Sequence, residues 1–522
     1  MKKHLPFILI VILFSILGMK ALTHPGLFTA HDIWHQVARL YHYHQAILAG
    51  QFPPYWISNL SNGFGYPLFF FSYHLPWIIS VPFLSFGFEI PTTIKSLFFI
   101  SYVFSGIAMY SLAHELLKNK WAALVSAIVY LWAPYHFLVI LVSAAMGTAF
   151  VFLFLPLILL GIHKQNILLI ASGMAGSILS HLMTTMSLLP MITIFTIWTL
   201  SRNPKSLIKI LIGFLLGMGL SAFYLIPAVY YSHLTQVSTG AFSDIYKKHF
   251  VSFSQLVYSR WGYGIADTAK EMNISFQVGI VQWVAFMVAA IFVIISVVPA
   301  LAKGWSASGG KAGIHRIPVL AILLSFLVSV FLMLDLSRPL WDFASQFVTL
   351  DYPTMFLLPA TFSGSLAAGY FIHTLKSKLR ILASLTLIAI AIYTNRNHLR
   401  VNEYTYIPVK DYIASEMTTN SFNEYLPKTA DAKLLSEPVP PSIHHFSFPG
   451  VNLYIDGKNI KYDTDDRGRV IIPNNVENSK QTTVKIKFED TILIKISKSI
   501  TIASIIISGF LLWQKRKLKS LP

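Results

Sequence analysis

The chain has 522 residues, 55% of them hydrophobic and only 12% charged, with a mean hydropathy of +0.60. A soluble domain carries about 25% charged residues, so this composition excludes an ordinary soluble enzyme and points to an integral membrane protein. The net charge of +18 would direct a soluble chain toward nucleic acid; here the 40 Lys and Arg sit in short runs between apolar segments, which reads as topology signals and contacts to membrane lipids, with no nucleic-acid partner. Without cysteine there is no disulfide, thiolate metal site or cysteine nucleophile, and any metal must use His, Asp or Glu.

Met1-Lys2-Lys3 and the apolar stretch to Leu22 lack a small-residue cleavage site and predict an anchor that starts inside. Further apolar runs fall at 66–87, 91–116, 121–139, 144–162, 166–181, 183–200, 207–229, 279–301, 317–335, 353–374, 379–395 and 498–514. If all of them spanned, Lys118-Asn119-Lys120, His163-Lys164, Arg202 to Lys205, Lys376 to Arg380 and the tail Lys515 to Lys519 would lie outside together with their charge. Removing the run 66–87 reverses every one and satisfies the positive-inside rule. That run carries Pro67, Pro76 and Pro82, which suits a broken interfacial helix. The expected architecture is therefore an all-α polytopic membrane protein of about twelve transmembrane helices, with both termini cytoplasmic.

Three regions are expected: a transmembrane domain over 1–395, a β-rich extracytoplasmic domain over 396–497, and a C-terminal anchor with a basic tail over 498–522. In the first, a loop over 23–90 holds interfacial helices, and a second long outer loop runs over 230–278. The β-rich region holds thirteen of the 22 acids, and its strand-like stretches Val451 to Asp456, Asn459 to Tyr462, Val470 to Ile472 and Thr483 to Phe488 surround the turn signal Asp456-Gly457.

Asp32 is the only acid before Glu89, and it opens a segment whose steps of three and four lay Asp32, His35, Arg39 and His42 along one side of a helix. Ile33, Val37, Leu40, Ile47 and Leu48 take the other side, so the helix is expected to lie on the bilayer surface. Asp32 is a candidate general base or metal ligand, the commonplace alternative being an N-cap. His31 and His35, four apart, are candidate metal ligands beside it. The competing outer acids are Glu89, Asp244, Asp267, Glu271, Asp335, Asp342 and Asp351. Trp56, Asn62 and Tyr66 lie in turn-rich stretches whose rings and amides suit a sugar, or an ordinary aromatic belt. Lys247, Lys248 and Arg260 are outward cations that suit a phosphate or pyrophosphate, or a lipid headgroup. Arg338 and Asp342 have the spacing of a four-apart ion pair.

Several pieces, in order, carry a resemblance: Ala30-His31-Asp32 with Leu48-Ala49-Gly50-Gln51-Phe52-Pro53; Asn62-Gly63-Phe64-Gly65-Tyr66-Pro67-Leu68; Ala133-Pro134-Tyr135; Ser180-His181-Leu182; Ala222 to Pro227; Asn423-Glu424-Tyr425-Leu426-Pro427; and Glu489-Asp490-Thr491. With them the chain resembles the C-type (GT-C) glycosyltransferase superfamily, and within it the bacterial membrane family labelled 6-pyruvoyl-tetrahydropterin synthase-related. The resemblance implies a polyprenyl-phosphate-linked sugar donor, a glycan, lipid or protein acceptor, a bacterial plasma-membrane location with an extracytoplasmic active site, and an acid of the first outer loop, matched by Asp32, as catalytic base or ligand of a divalent metal ion. The second outer loop departs from the pattern: where relatives often carry Arg and an acid, this one reads Ser143-Ala144-Ala145-Met146-Gly147-Thr148. The function expected is transfer of a sugar from the lipid-linked donor to an acceptor at the outer face. A non-catalytic envelope protein that binds or assembles lipid-linked sugars, and then a transporter, are the alternatives.

Overall fold

The computed structural model describes residues 3–238, 245–264, 274–302, 319–347, 352–414, 423–438, 444–473 and 483–520. The chain is predominantly helical and divides into two compact units, each assembled from separated stretches. Among the described residues, five helices are long and apolar enough to cross a membrane, or up to seven if each of two bent pairs forms one span. By that measure it is a membrane protein.

The first unit comprises residues 1–33, 91–217 and 244–406. Its hub is the helix Leu357–Thr374, buried almost end to end and packed on Lys120–Leu131, Ile280–Ala302 and Val319–Met333. Gly369 permits the closest of these approaches, since a Cβ there would lie 2.0 Å from Ser126 Oγ and 2.7 Å from the Ala122 carbonyl. Such close backbone contact at small residues is how helices associate where hydrocarbon removes the hydrophobic drive between them. The helices Met146–Lys164 and Ile167–Ser180 form an adjoining hairpin. By contrast, Ser377–Asn395 exposes Leu379, Leu382 and Leu385, a surface that suits hydrocarbon. The run 121–139, expected to be continuous, bends by 47° between Lys120–Leu131 and Pro134–Val142. Pro134 explains the break, because its ring pushes the preceding residue out of the helical region, and Ala133 sits at ψ 142.

Lys95 fixes the stretch that leads out of the first helix, Leu5–Gly18. Its ammonium donates to the carbonyls of His24 (2.6 Å), Pro25 (3.2 Å) and Gly26 (3.3 Å). Immediately beyond, β1 (Leu27–Phe28) pairs antiparallel with β2 (Tyr404–Thr405), Leu27 opposite Thr405. Lys95→Met is expected to lower stability by about 2 kcal/mol, the scale of hydrogen bonds made by a charged donor. Thermal melting of the detergent-solubilised protein reads this directly, and an unchanged midpoint would refute the role given to the ammonium.

The second unit comprises residues 34–90, 218–243 and 407–522. The helix Ile33–Leu48, all but its first residue in this unit, forms where the sequence periodicity places it. Of its expected lipid-facing side, Ile33, Val37 and Leu40 are buried, Ile47 is half-buried and Leu48 is exposed, while His42, which the spacing had put on the polar side, is buried. Periodicity identifies which residues share a face and is silent on what covers that face. Residues 66–87 form a broken pair, Leu68–Phe71 and Leu75–Ser85, separated at Ser72–His74, as the prolines predict. The acid-rich region contains a three-stranded antiparallel sheet in the order β4-β3-β5, from β3 (Val451–Ile455), β4 (Lys458–Ile460) and β5 (Val484–Phe488). The β3–β4 turn uses Asp456 at φ 49 and Gly457 at φ 78, the left-handed pair that a two-residue hairpin demands. Val470 to Ile472 was expected to be a strand and makes one isolated bridge, from Val470 to Thr464.

Candidate functional site

Asp32 lies in the first unit, where four stretches distant in sequence meet. The first is its own segment, held by β1 and by Thr29, whose N–H and hydroxyl both donate to the Glu403 carbonyl, at 2.9 and 3.3 Å. The second is the loop that ends the helix pair Lys120–Leu131 and Pro134–Val142. The His31 N–H donates to the Val142 carbonyl (3.0 Å) and the Asp32 N–H to the Ser143 carbonyl (2.9 Å). The first and second loops, expected on one side of the membrane from charge alone, are thus joined at the acid itself.

The second loop is strained where it meets Asp32. Residues Leu138–Val142 form a π-helical turn, and Ala144 follows at φ 51, fully buried. A left-handed alanine costs roughly 1–2 kcal/mol relative to right-handed backbone. π-turns and such outliers concentrate at functional sites, where surrounding structure holds them in place.

The third stretch is 260–263. The His31 Nε2 lies 3.2 Å from the Tyr263 carbonyl; because a carbonyl only accepts, Nε2 carries the proton. The fourth stretch, 395–403, closes on the third: the Tyr263 hydroxyl donates to the Arg400 carbonyl (2.8 Å), and the Trp261 indole stacks on His398 with centroids 4.2 Å apart at 28°. His398 is itself fixed at both nitrogens. Asn395 Oδ1, an acceptor, lies 3.0 Å from Nδ1, and the Gln277 amide lies 3.4 Å from Nε2, so the imidazole donates through Nδ1–H and accepts at Nε2.

Burial pushes the His398 pKa down to about 4, and burial does the same to His42. A histidine depressed below its unfolded value near 6.5 binds protons more readily in the unfolded chain. Stability therefore holds above pH 6.5 and falls as the pH drops from 6.5 through about 4, by an amount on the order of 3 kcal/mol for each such histidine. His398→Asn should flatten part of this acid loss, read as the melting midpoint at a series of pH values; parallel profiles for the two proteins would contradict it.

The remaining predicted residues fall as follows. His35 and Arg39, both half-buried, continue from Asp32 along the helix Ile33–Leu48. Arg260, exposed, adjoins Trp261. Lys247 and Lys248, also exposed, are positioned by different contacts, through Tyr246 and Arg338. The expected pair of Arg338 with Asp342 is not formed: Arg338 sits at the start of its helix and turns back to Asp335, while Asp342 accepts from the Tyr246 hydroxyl at 2.5 Å. Asp244, Asp267, Glu271 and Asp351 lie outside the described residues.

Trp56, Asn62 and Tyr66 belong to the second unit. Trp56 is 1% exposed and stacks on Phe448 (5.7 Å) and Phe488 (6.3 Å), so it has no open face for a sugar. Tyr66 is buried, its hydroxyl accepting from the Tyr425 N–H (2.9 Å), and the Asn62 amide donates to the Leu435 carbonyl (2.8 Å). Among the described residues no group of three or more His, Asp or Glu is arranged to hold a metal ion. The His31 Nε2 proton further leaves only Nδ1 of that ring for ligation.

Sequence reasoning missed His398, Gln277 and Ala144. The only signal for His398 was its place just beyond the end of the apolar run 379–395.

No protein-family model matches the chain. An uncharacterised protein of Lactococcus lactis subsp. cremoris (strain MG1363) is 27% identical over 275 residues, 49% of this chain and 44% of that protein. The chain is similar in structure to the arabinofuranosyltransferase AftD from Mycobacteria, with a TM-score of 0.48 and 12% identity, over 77% of this chain and 28% of AftD. A mutant form of AftD gives a TM-score of 0.46 and 10% identity over 75% and 27%. The chain thus spans less than half the length of each of these proteins.

Proposed function

We propose that the chain is a membrane glycosyltransferase of the GT-C type, with about twelve spans and both termini cytoplasmic, which moves a sugar from a polyprenyl-phosphate donor to an acceptor hydroxyl at the outer face. The observation that carries the reading is the convergence on His31-Asp32 of the strained loop at Ser143–Ala144 and the Trp261–Tyr263 stretch. A half-buried carboxylate held by backbone contacts on a loop junction suits a base that must be preorganised. In the reaction the acceptor oxygen bonds to the anomeric carbon and gives its proton to Asp32. The bond from that carbon to the phosphate oxygen breaks, and its electron pair leaves with the lipid phosphate. Backside attack inverts the anomeric centre.

Arg260 is the cation best placed in sequence for the developing phosphate charge, being next to Trp261, and its planar fork suits two phosphate oxygens. Lys247 and Lys248 attract the anionic lipid, and His35 and Arg39, which follow Asp32 in sequence, are further candidates for binding the substrate. The test is incubation of the purified protein with a panel of polyprenyl-phosphate sugars and candidate acceptors, with and without divalent metal. Consumption of one donor with release of the lipid phosphate supports the reading. Donor bound and never consumed would transfer it to a binding or assembly role.

A further inference from the structure

We propose that His31 and Trp261 bind ring hydroxyls of the sugar being transferred, the imidazole as hydrogen-bond acceptor and the indole as donor. These contacts rest on the glycosyl-transfer reading and supply what Trp56 and Tyr66, packed in the core, do not.

The His31 ring is pinned by one nitrogen. Its Nε2–H donates to the Tyr263 carbonyl (3.2 Å), which in the neutral ring leaves the lone pair on Nδ1. Nδ1 makes no hydrogen bond among the described residues, and the residue is only half-buried. The backbone beneath it is fixed by the N–H bonds of His31 and Asp32 to the Val142 and Ser143 carbonyls, so the acceptor is held ready.

Trp261 is fixed from both sides and offers the complementary group. Two residues before it, the Ser259 hydroxyl oxygen accepts from the Phe276 N–H (2.7 Å) and lies 3.2 Å from the Ser275 hydroxyl. Two residues after it, the Tyr263 hydroxyl donates to the Arg400 carbonyl. The indole lies on His398, and its Nε1–H is buried with no acceptor among the described residues. Buried indole N–H groups are normally paired, so this one calls for an acceptor that the protein does not supply.

The Tyr263 stretch thus links an acceptor to a donor and a ring, a set that suits a sugar, whose hydroxyls both give and take hydrogen bonds. Sequence neighbours decide which sugar. His31 adjoins Asp32, which takes the proton of the acceptor substrate, and Trp261 adjoins Arg260, which meets the lipid phosphate. The group between an attacking oxygen and a leaving phosphate is the transferred sugar.

The test is binding to the full-length protein in nanodiscs of undecaprenyl phosphate, bare or carrying glucose, mannose, galactose or arabinose, and of monodeoxy forms of the sugar that binds best. His31→Gln keeps an N–H for the Tyr263 carbonyl and removes the acceptor at Nδ1. Trp261→Phe keeps a ring on His398 and removes the indole N–H. Each variant should hold the sugar-bearing lipid about fivefold more weakly, the worth of one hydrogen bond, with the bare lipid unchanged. For each, one deoxy form should bind variant and parent alike, which identifies the hydroxyl. Should a variant fail to fold, the deoxy forms on the parent decide, and no loss at any ring hydroxyl would overturn the proposal. So would a parent that holds no sugar-bearing lipid more tightly than the bare one, a variant with full affinity for it, or a variant that loses both lipids equally. Losses as expected in a parent that transfers nothing would overturn the glycosyl-transfer reading and leave the two contacts standing as those of a binding protein.

Discussion

Asp32→Asn is expected to lower sugar transfer by a factor of about 100 to 10,000, the contribution of a positioned general base. Asparagine has the same shape and cannot take the acceptor proton. The backbone N–H of this residue to Ser143 and the contacts of its neighbour His31 to Val142 and Tyr263 are kept in the variant. The variant should therefore melt as the parent does and still bind the lipid-linked donor, and the loss should appear in kcat with little change in KM. Full activity in a folded Asp32→Asn protein would dismiss the carboxylate from the chemistry. Loss of folding along with activity would return Asp32 to the role of a cap.

Trp56→Ala is expected to cost about 3–5 kcal/mol of stability, the range for truncating a large buried ring. The indole is stacked with Phe448 and Phe488 and closed off on another side by Gly65, where a Cβ would lie 2.2 Å from the ring. Gly65→Ala attacks the same packing from outside, with the added strain of a residue at φ +86. Both variants should melt early or fail to accumulate, while Trp56→Phe is milder. A stable Trp56→Ala protein that lost only sugar binding would restore the sugar-stacking role and refute the core assignment.

The helical, apolar character of the chain, the proline-broken segment 66–87 and the Asp456-Gly457 hairpin were legible because each rests on a local rule: length, a missing N–H, or a left-handed turn; the count of about twelve spans was not, since five to seven candidate spans are found among the described residues and two of them are bent pairs. The Trp56 and Tyr66 environment was not legible. Rings in a stretch rich in glycine and proline look like surface, and only the partners, Phe448, Phe488 and Tyr425, some 360 to 430 residues onward, make them core. The same holds for the site. Asp32 stood out because acids are scarce before Glu89, whereas His398 acquires its meaning from Trp261 and Gln277, more than a hundred positions away. Ala144 gave no warning at all, since the left-handed backbone there falls on an alanine where glycine or asparagine would have signalled it.

The pairing of Leu27 with Thr405 also sets a timetable for biogenesis. At about 5–20 residues per second, Thr405 is synthesised some tens of seconds after Leu27. Through that interval the helices between them enter the bilayer while the acid-bearing stretch lacks its edge strand and its Glu403 acceptor. The helices that precede β2 are made before the loop that bears Asp32 is set, so a nascent chain stalled short of this strand holds those helices without the pairing that fixes Asp32.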